Sequence, residues 1–179
     1  MRFFMIVILG FLFSTCTVKH YQEAFSMRKD SFTGEQVATM VREYPTVENI
    51  RSPMNTRPYH INIHWAKKGS PSSPILASLT VVEYQEAVPD LTDTLYLRID
   101  GAIRSLPMTE AKSELLIAGT DSSVSMKKVH FASFELPANL QSEIVKANDL
   151  VFRFYAGQAT HTAVLNKNEM NQLKQMARF

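Results

Sequence analysis

The chain has 179 residues, a formal net charge of +2, and hydrophobic and charged fractions of 45% and 20%. An intrinsically disordered chain is excluded, because it would be poorer in apolar residues and more strongly charged. Lys and Arg are interspersed with Asp and Glu, so no basic stripe exists to follow a phosphate backbone, and nucleic acid is not expected as a partner.

Arg2 precedes an apolar run from Phe3 to Phe13, followed by Ser14, Thr15 and Cys16. A secretory signal has this order, with a basic start, roughly 7–15 apolar residues and small residues at the cleavage site. The run covers only about half of a bilayer core as a helix, so a permanent span is not expected. Phe13-Ser14-Thr15-Cys16 resembles the lipobox of bacterial lipoproteins, in which the cysteine is lipidated and becomes the N-terminus. Phe13 stands where an aliphatic residue is usual, and Thr15 where Gly, Ala or Ser is usual. The resemblance is confined to residues 1–16 and implies lipidation of Cys16 and a membrane partner. Thr17 and Val18 carry no acidic retention signal, which by the same resemblance implies the outer membrane. Cys16 is the only cysteine. A lone cysteine in an exported protein has no intramolecular partner, and its place after the apolar run points to modification. Cleavage near the same site without lipidation would leave a free periplasmic or secreted protein. Residues 1–15 are expected as the signal, 16–30 as the lipidated cysteine and a polar tether, and 31–179 as one β-rich globular domain.

Thr33 and Gln36 fit a capping box, and Val37, Met40, Val41 and Tyr44 follow at helical spacing, so a short amphipathic helix is expected before Pro45. From Tyr59 the period becomes two: Ile61, Ile63 and Trp65 share one face, and His60, Asn62 and His64 the other. Lys67 to Pro74 reads as a turn, Ile75 to Glu86 as a strand, and Thr94 to Ile99 as the clearest alternation. Ala102 to Leu106 reads as its continuation past a bulge at Gly101. Further strands are expected over Glu114–Ala118 and Val124–Leu136. A helix over 137–147 starts at Pro137, where the missing N–H has no helical partner. Leu150–Tyr155 and Thr160–Leu165 form a hairpin around Gly157-Gln158. Asn166 and Glu169 cap a last helix with Met170, Leu173, Met176 and Ala177 as its apolar stripe. The connections are mostly too short for parallel crossovers. The expected fold is α+β: a mainly antiparallel β-sandwich or partly closed barrel with a short N-terminal helix and two C-terminal helices.

Candidate chemistry is sparse. His60 and His64 share a strand face, but four residues of strand span about 13 Å, too far for one ion held at about 2.1 Å from each nitrogen. No metal and no cofactor is expected; there are 6 glycines and no phosphate-cradling loop. No Gly-x-Ser-x-Gly elbow occurs, and Ser105, Ser122, Ser123 and Ser125 have turn or strand explanations. Glu83, Glu86, Asp90, Asp93 and Asp100 are available as paired carboxylates, and His130 and His161 as bases, yet no spacing singles any of them out. No catalytic residue is assigned. Tyr96 and Tyr155 face away from the apolar side of their strands and are the candidate binding residues, suited to a glycan or an envelope protein. Strand addition at an open edge is a second binding mode. The expectation is an exported, lipid-anchored envelope protein acting as a binding or structural accessory module. The alternative is a secreted or periplasmic hydrolase built on a histidine or a carboxylate.

Overall fold

The structure is a computed structural model and describes residues 24–46, 59–83, 89–120 and 123–179. The expected signal, Cys16 and the first part of the tether lie outside these residues. Among those described, ten strands and two helices form two antiparallel sheets. The large sheet runs β1 (Ala24–Lys29), β2 (Gln36–Thr46), β3 (Tyr59–Lys68), β4 (Ile75–Glu83), β8 (Ser123–Leu136) and β7 (Thr109–Thr120). The small sheet runs β10 (Ala159–Val164), β9 (Leu150–Ala156), β5 (Thr94–Ile99) and β6 (Ala102–Pro107). The sheets do not close into a barrel; the arrangement is a sandwich-like α+β fold. Helices α1 (Ala138–Lys146) and α2 (Lys167–Arg178) pack on each other.

Alternation builds the interior. In β4, Ile75, Ala77, Leu79, Val81 and Glu83 are buried while the residues between them are not. Leu95, Leu97 and Ile99 repeat the pattern in β5. Trp65 of β3 and Phe134 of β8 meet Phe152 of β9, with ring centroids 5.2 Å apart for Trp65–Phe152 and 6.0 Å for Phe134–Phe152. Ala77 stands between Trp65 and Phe134 in the cross-strand row, and a small residue between two large ones leaves the hollow that the facing ring fills.

Four expectations are corrected, the last of them at Lys67. The helix expected over 33–44 is strand β2, in which Ala38, Met40, Arg42 and Tyr44 are buried at period two. Val37, Met40, Val41 and Tyr44 fit the helical spacing equally well, and the charged residue at an inward position concealed the alternation. Arg42 is accommodated because its guanidinium donates to the Val41 carbonyl at 2.7 Å and to the Gln172 side chain of α2, with Glu169 4.0 Å away. Hydrogen-bonded neighbours on both sides, β1 and β3, override the local preference. The sheet also begins earlier than expected, since β1 lies within the segment read as a tether. It is joined to β2 by a turn in which Asp30 accepts from the Phe32 and Thr33 amides at 2.8 and 2.9 Å. Gly101 is not a bulge. Asp100 and Gly101 have φ of 45° and 88° and close the β5–β6 hairpin, the conformation a two-residue hairpin turn of the primed type requires. The Asp100 carboxylate accepts from the Asn148 and Asp149 amides, both at 2.8 Å, and so ties this hairpin to the chain entering β9.

The helices begin as the sequence predicts, at Pro137 and at an Asn166–Glu169 capping box. Leu140 and Ile144 of α1 and Met170, Leu173, Met176 and Ala177 of α2 are buried. Lys67, expected in a turn, instead lies near the end of β3 and is 1% exposed. Its ammonium donates to Gln141 Oε1 at 2.7 Å and to the carbonyls of Ala177 and Pro71 at 3.1 Å each. Gln141 Nε2 in turn donates to the carbonyls of Ser73 and Leu136 at 2.8 and 2.9 Å. Burial pushes the Lys67 pKa down, and the surrounding acceptors keep the cation partnered. One side chain thus joins both helices to the β3–β4 turn. Lys67→Met keeps the apolar stem and removes the donor from three acceptors. Urea unfolding is expected to show a loss of about 2–4 kcal/mol; a loss within about 0.5 kcal/mol of zero would exclude this network as a structural tie.

Candidate functional site

At the end of β4 remote from the helices, Glu83, His130 of β8 and His161 of β10 converge between the sheets, all 0% exposed. Alternation sends each inward: Glu83 follows Val81, His130 precedes Ala132 and Phe134, and His161 alternates with Ala163. His161 Nε2 lies 2.8 Å and His130 Nε2 3.6 Å from Glu83 Oε1. The His161 ring stacks on Phe154, with centroids 5.2 Å apart and planes inclined by 22°. On the outer side, His130 Nδ1 is 2.7 Å from the Ser113 hydroxyl of β7. Lys128, paired across the sheet with Glu83, reaches Asp90 at 2.8 Å. Asp90 is held below the usual carboxylate range by hydrogen bonds from Lys128 and Ser113 and by the Lys128 charge.

Burial alone would push the Glu83 pKa up. The hydrogen bonds and charges of His130 and His161 more than reverse that and bring it to about 2. Glu83 is therefore an anion at neutral pH, held between imidazoles from opposite sheets. These are acid–base groups, but a general acid or base must touch its substrate, and all three side chains are sealed in the core. The arrangement ties β4 and β8 to β10.

The open concavity lies on the outer face of the small sheet. Tyr96 and Arg98 alternate with inward Leu95, Leu97 and Ile99. Tyr96 pairs with Arg153 across β9, and Arg98 lies between Val151 and Ile103. Tyr155, diagonal to Tyr96, meets it edge to face, with centroids 5.8 Å apart and planes at 81°. These six residues line a concavity of about 340 Å³, with two cations and no carboxylate among the described residues of its lining. Arg153 Nε donates to Thr162 Oγ1 at 3.2 Å, which orients the guanidinium along the sheet. Arg98 pairs with Asp149 at 3.3 Å at the rim.

Of the residues singled out in the sequence, Tyr96 and Tyr155 are brought into contact, while His64 points to solvent from β3. Asp100 serves the β5–β6 turn, Asp93 accepts from the Thr94 hydroxyl, and Ser105 is exposed on β6. Cys16, His20, Glu86, Ser122 and the side chains of His60, Ser123 and Ser125 lie outside what is described. Glu83, His130 and His161 were available in the sequence for a histidine- or carboxylate-based site, but nothing in it brought them together with Ser113. The only trace of their convergence is that period two turns both histidines and Glu83 inward; that they meet depends on how the sheets face. Arg98 and Arg153 were also missed, although their outward parity was readable beside the tyrosines.

The described residues define a two-sheet antiparallel sandwich with a sealed ionic cluster inside and an aromatic, cationic concavity outside. No protein-family model, no curated protein and no solved structure matches the chain.

The folded pKa of Glu83, about 2, lies below its ordinary value of 4.5. Its stabilising contribution is thus complete above pH 4.5 and is lost as the pH falls toward 2, on the order of 3 kcal/mol in all. Acid unfolding followed by the fluorescence of Trp65, the sole tryptophan, should show this loss. Glu83→Gln should be less stable at pH 7 and lack that acid limb. A variant that retains the wild-type limb would exclude Glu83 as its source.

Proposed function

We propose that this chain is an exported bacterial envelope protein, anchored through lipidated Cys16, that acts as a binding or accessory module. The order of Arg2, apolar run, small residues and single cysteine supports the export and the anchor. The absence of an acidic residue at Thr17 and Val18 favours the outer membrane. The observation that carries the binding role is the concavity in which Tyr96, Tyr155, Arg98 and Arg153 face outward together. A binding site has to be open, concave and lined by apolar and aromatic surface with a few directed polar groups, and this one is. Among the described residues β7 is an edge strand, and it offers a further contact for an envelope protein, with Leu115, Leu116 and Ile117 exposed in succession.

The test combines two readouts. Mass spectrometry of the mature N-terminus should find diacyl or triacyl Cys16 in the membrane fraction, and Cys16→Ser should lose it with stalled processing or release. The protein should co-sediment with isolated cell-wall glycan, and Tyr96→Ala/Tyr155→Ala should lose that association at unchanged melting temperature. An unmodified mature terminus in the soluble fraction would overturn the anchor; co-sedimentation unaffected by the double variant would overturn the outer face as the binding surface.

A second reading, a secreted hydrolase, is favoured by the Ser113–His130–Glu83 series, in which a half-buried hydroxyl meets an imidazole backed by a carboxylate. Against it, Ser113 also bonds to Asp90, which turns the hydroxyl proton away from His130. A fluorophosphonate probe is expected to leave Ser113 unlabelled, with no difference between wild type and Ser113→Ala. Stoichiometric label at Ser113 would put the hydrolase first.

A further inference from the structure

Resting on the reading that Cys16 is lipidated, we infer that the far half of the β7–β8 hairpin is a membrane-contacting arm, which lays Leu115, Leu116 and Ile117 into the lipid surface that holds the anchor. The arm follows from the register. Among the described residues, β8 pairs with β4 only as far as Lys128 and Glu83, whereas its pairing with β7 continues to Ser123 and Thr120. Beyond Lys128 the described pairing is two-stranded, and a two-stranded ribbon has little stability of its own. Leu115, Leu116 and Ile117 lie where the arm begins and are 52%, 48% and 65% exposed. Edge strands ordinarily carry charges or proline at such positions. Three aliphatic side chains in succession mark a surface that is covered in use.

The choice of lipid over protein follows from the two faces. Successive strand residues point to opposite sides of a sheet. Ser113 meets inward-facing His130, so Leu115 and Ile117 continue the inner face and Leu116 the outer one. A protein strand added to the edge pairs with backbone, and a protein docked on one face covers only that side. A lipid surface takes up both faces of a thin ribbon at once. Among the described residues β7 is an edge strand, and its unpaired backbone groups would not be satisfied in hydrocarbon. The contact is therefore shallow, at the boundary of headgroups and acyl chains, about 5–10 Å deep.

The tether makes this contact effective. The chain from Cys16 to Ala24 reaches at most about 28 Å when extended. Ala24 lies in the cross-strand row of Val41, His64, Ser78 and Ser133, which places Leu116 about 30 Å from it across the sheet and along β7. A bilayer that holds Cys16 is thus within reach of the arm, and confinement near that bilayer populates a contact too weak to form from solution. Phe32, 97% exposed at the β1–β2 turn, is the competing apolar tip. It is a single side chain. Strand β1 also runs from Ala24 toward that turn, so the tether would have to double back along about 20 Å of strand to set Phe32 on the membrane.

The experiment uses the full lipidated chain in phosphatidylcholine vesicles, with a nitrobenzoxadiazole label on one introduced thiol: Leu116→Cys, Ile117→Cys or, as the control, Phe32→Cys. A lipidated Cys16 takes no label, so mass spectrometry of each preparation also reports the anchor. Emission from the Leu116 and Ile117 positions is expected to shift to the blue. Nitroxide at a shallow acyl position should quench both several-fold more strongly than the label at Phe32. Added salt should change neither effect, because the contact is apolar. Water-like emission and weak quenching at both positions, with Cys16 lipidated, would overturn the arm and leave the anchor standing. A blue shift without nitroxide quenching, lost when the protein is diluted with more lipid, would put a second copy on the edge in place of lipid. Quenching strongest at Phe32 would set the opposite end of the sheet on the membrane. Label on Cys16 itself, with the protein in the soluble fraction, would overturn both readings.

Discussion

Trp65 and Phe134 reach from the large sheet and Phe152 reaches back from the small one, and every other feature of the domain is placed by that contact. The described residues contain no cysteine, so no cross-link holds the sheets together. Apolar burial supplies the attraction, and the aromatic trio decides where along each strand the two layers meet. Once they meet there, Lys67 comes to lie against both helices at one end, and Glu83 comes to lie between His130 and His161 at the other. A charge in either place is tolerable only because the opposing layer brings its partners. Removing one partner would leave the other buried and uncompensated.

The same packing separates structural chemistry from surface chemistry. Each strand of the small sheet has an inner and an outer set of side chains. Leu95, Leu97 and Ile99 go to the core, and Tyr96 and Arg98 go to solvent. On β9, Phe152 and Phe154 go inward while Arg153 and Tyr155 line the outer concavity. A shift of β5 by one residue would bury the arginine and expose the leucines. The Asp100–Gly101 turn prevents it, since a two-residue loop fixes the pairing of β5 with β6 and the Asp100 carboxylate fixes the hairpin against the chain entering β9. The proposed binding face therefore depends on a turn that lies outside it. His130 and His161, of a residue type readily associated with catalysis, belong to the interior.

Where one period dominated and the buried residues were apolar, the sequence was readable. The alternation of β3, β4 and β5, the hairpin of β9 and β10, and both helices with their caps were all legible, because each rests on contacts between near neighbours in the chain. β2 was misread because four of its apolar residues satisfy a helical spacing, and because Arg42 occupies a core position that only α2 makes acceptable. β6 was misread because a glycine between two alternating runs suits a bulge as well as a turn. The left-handed conformation of Asp100, which decides between them, is held by amides 48 and 49 residues away.

By itself the sequence determined the antiparallel α+β character, the parity of most strands and the outward side of Tyr96 and Tyr155, since alternation and capping are local properties of the backbone. Only the tertiary structure decided which parities face one another. Bringing Glu83, His130 and His161 within ion-pair distance, or setting Arg98 and Arg153 beside two tyrosines, requires strands from distant parts of the chain to pair and two sheets to pack. The energy that selects that arrangement is the burial of both apolar faces at once, and no single segment carries it.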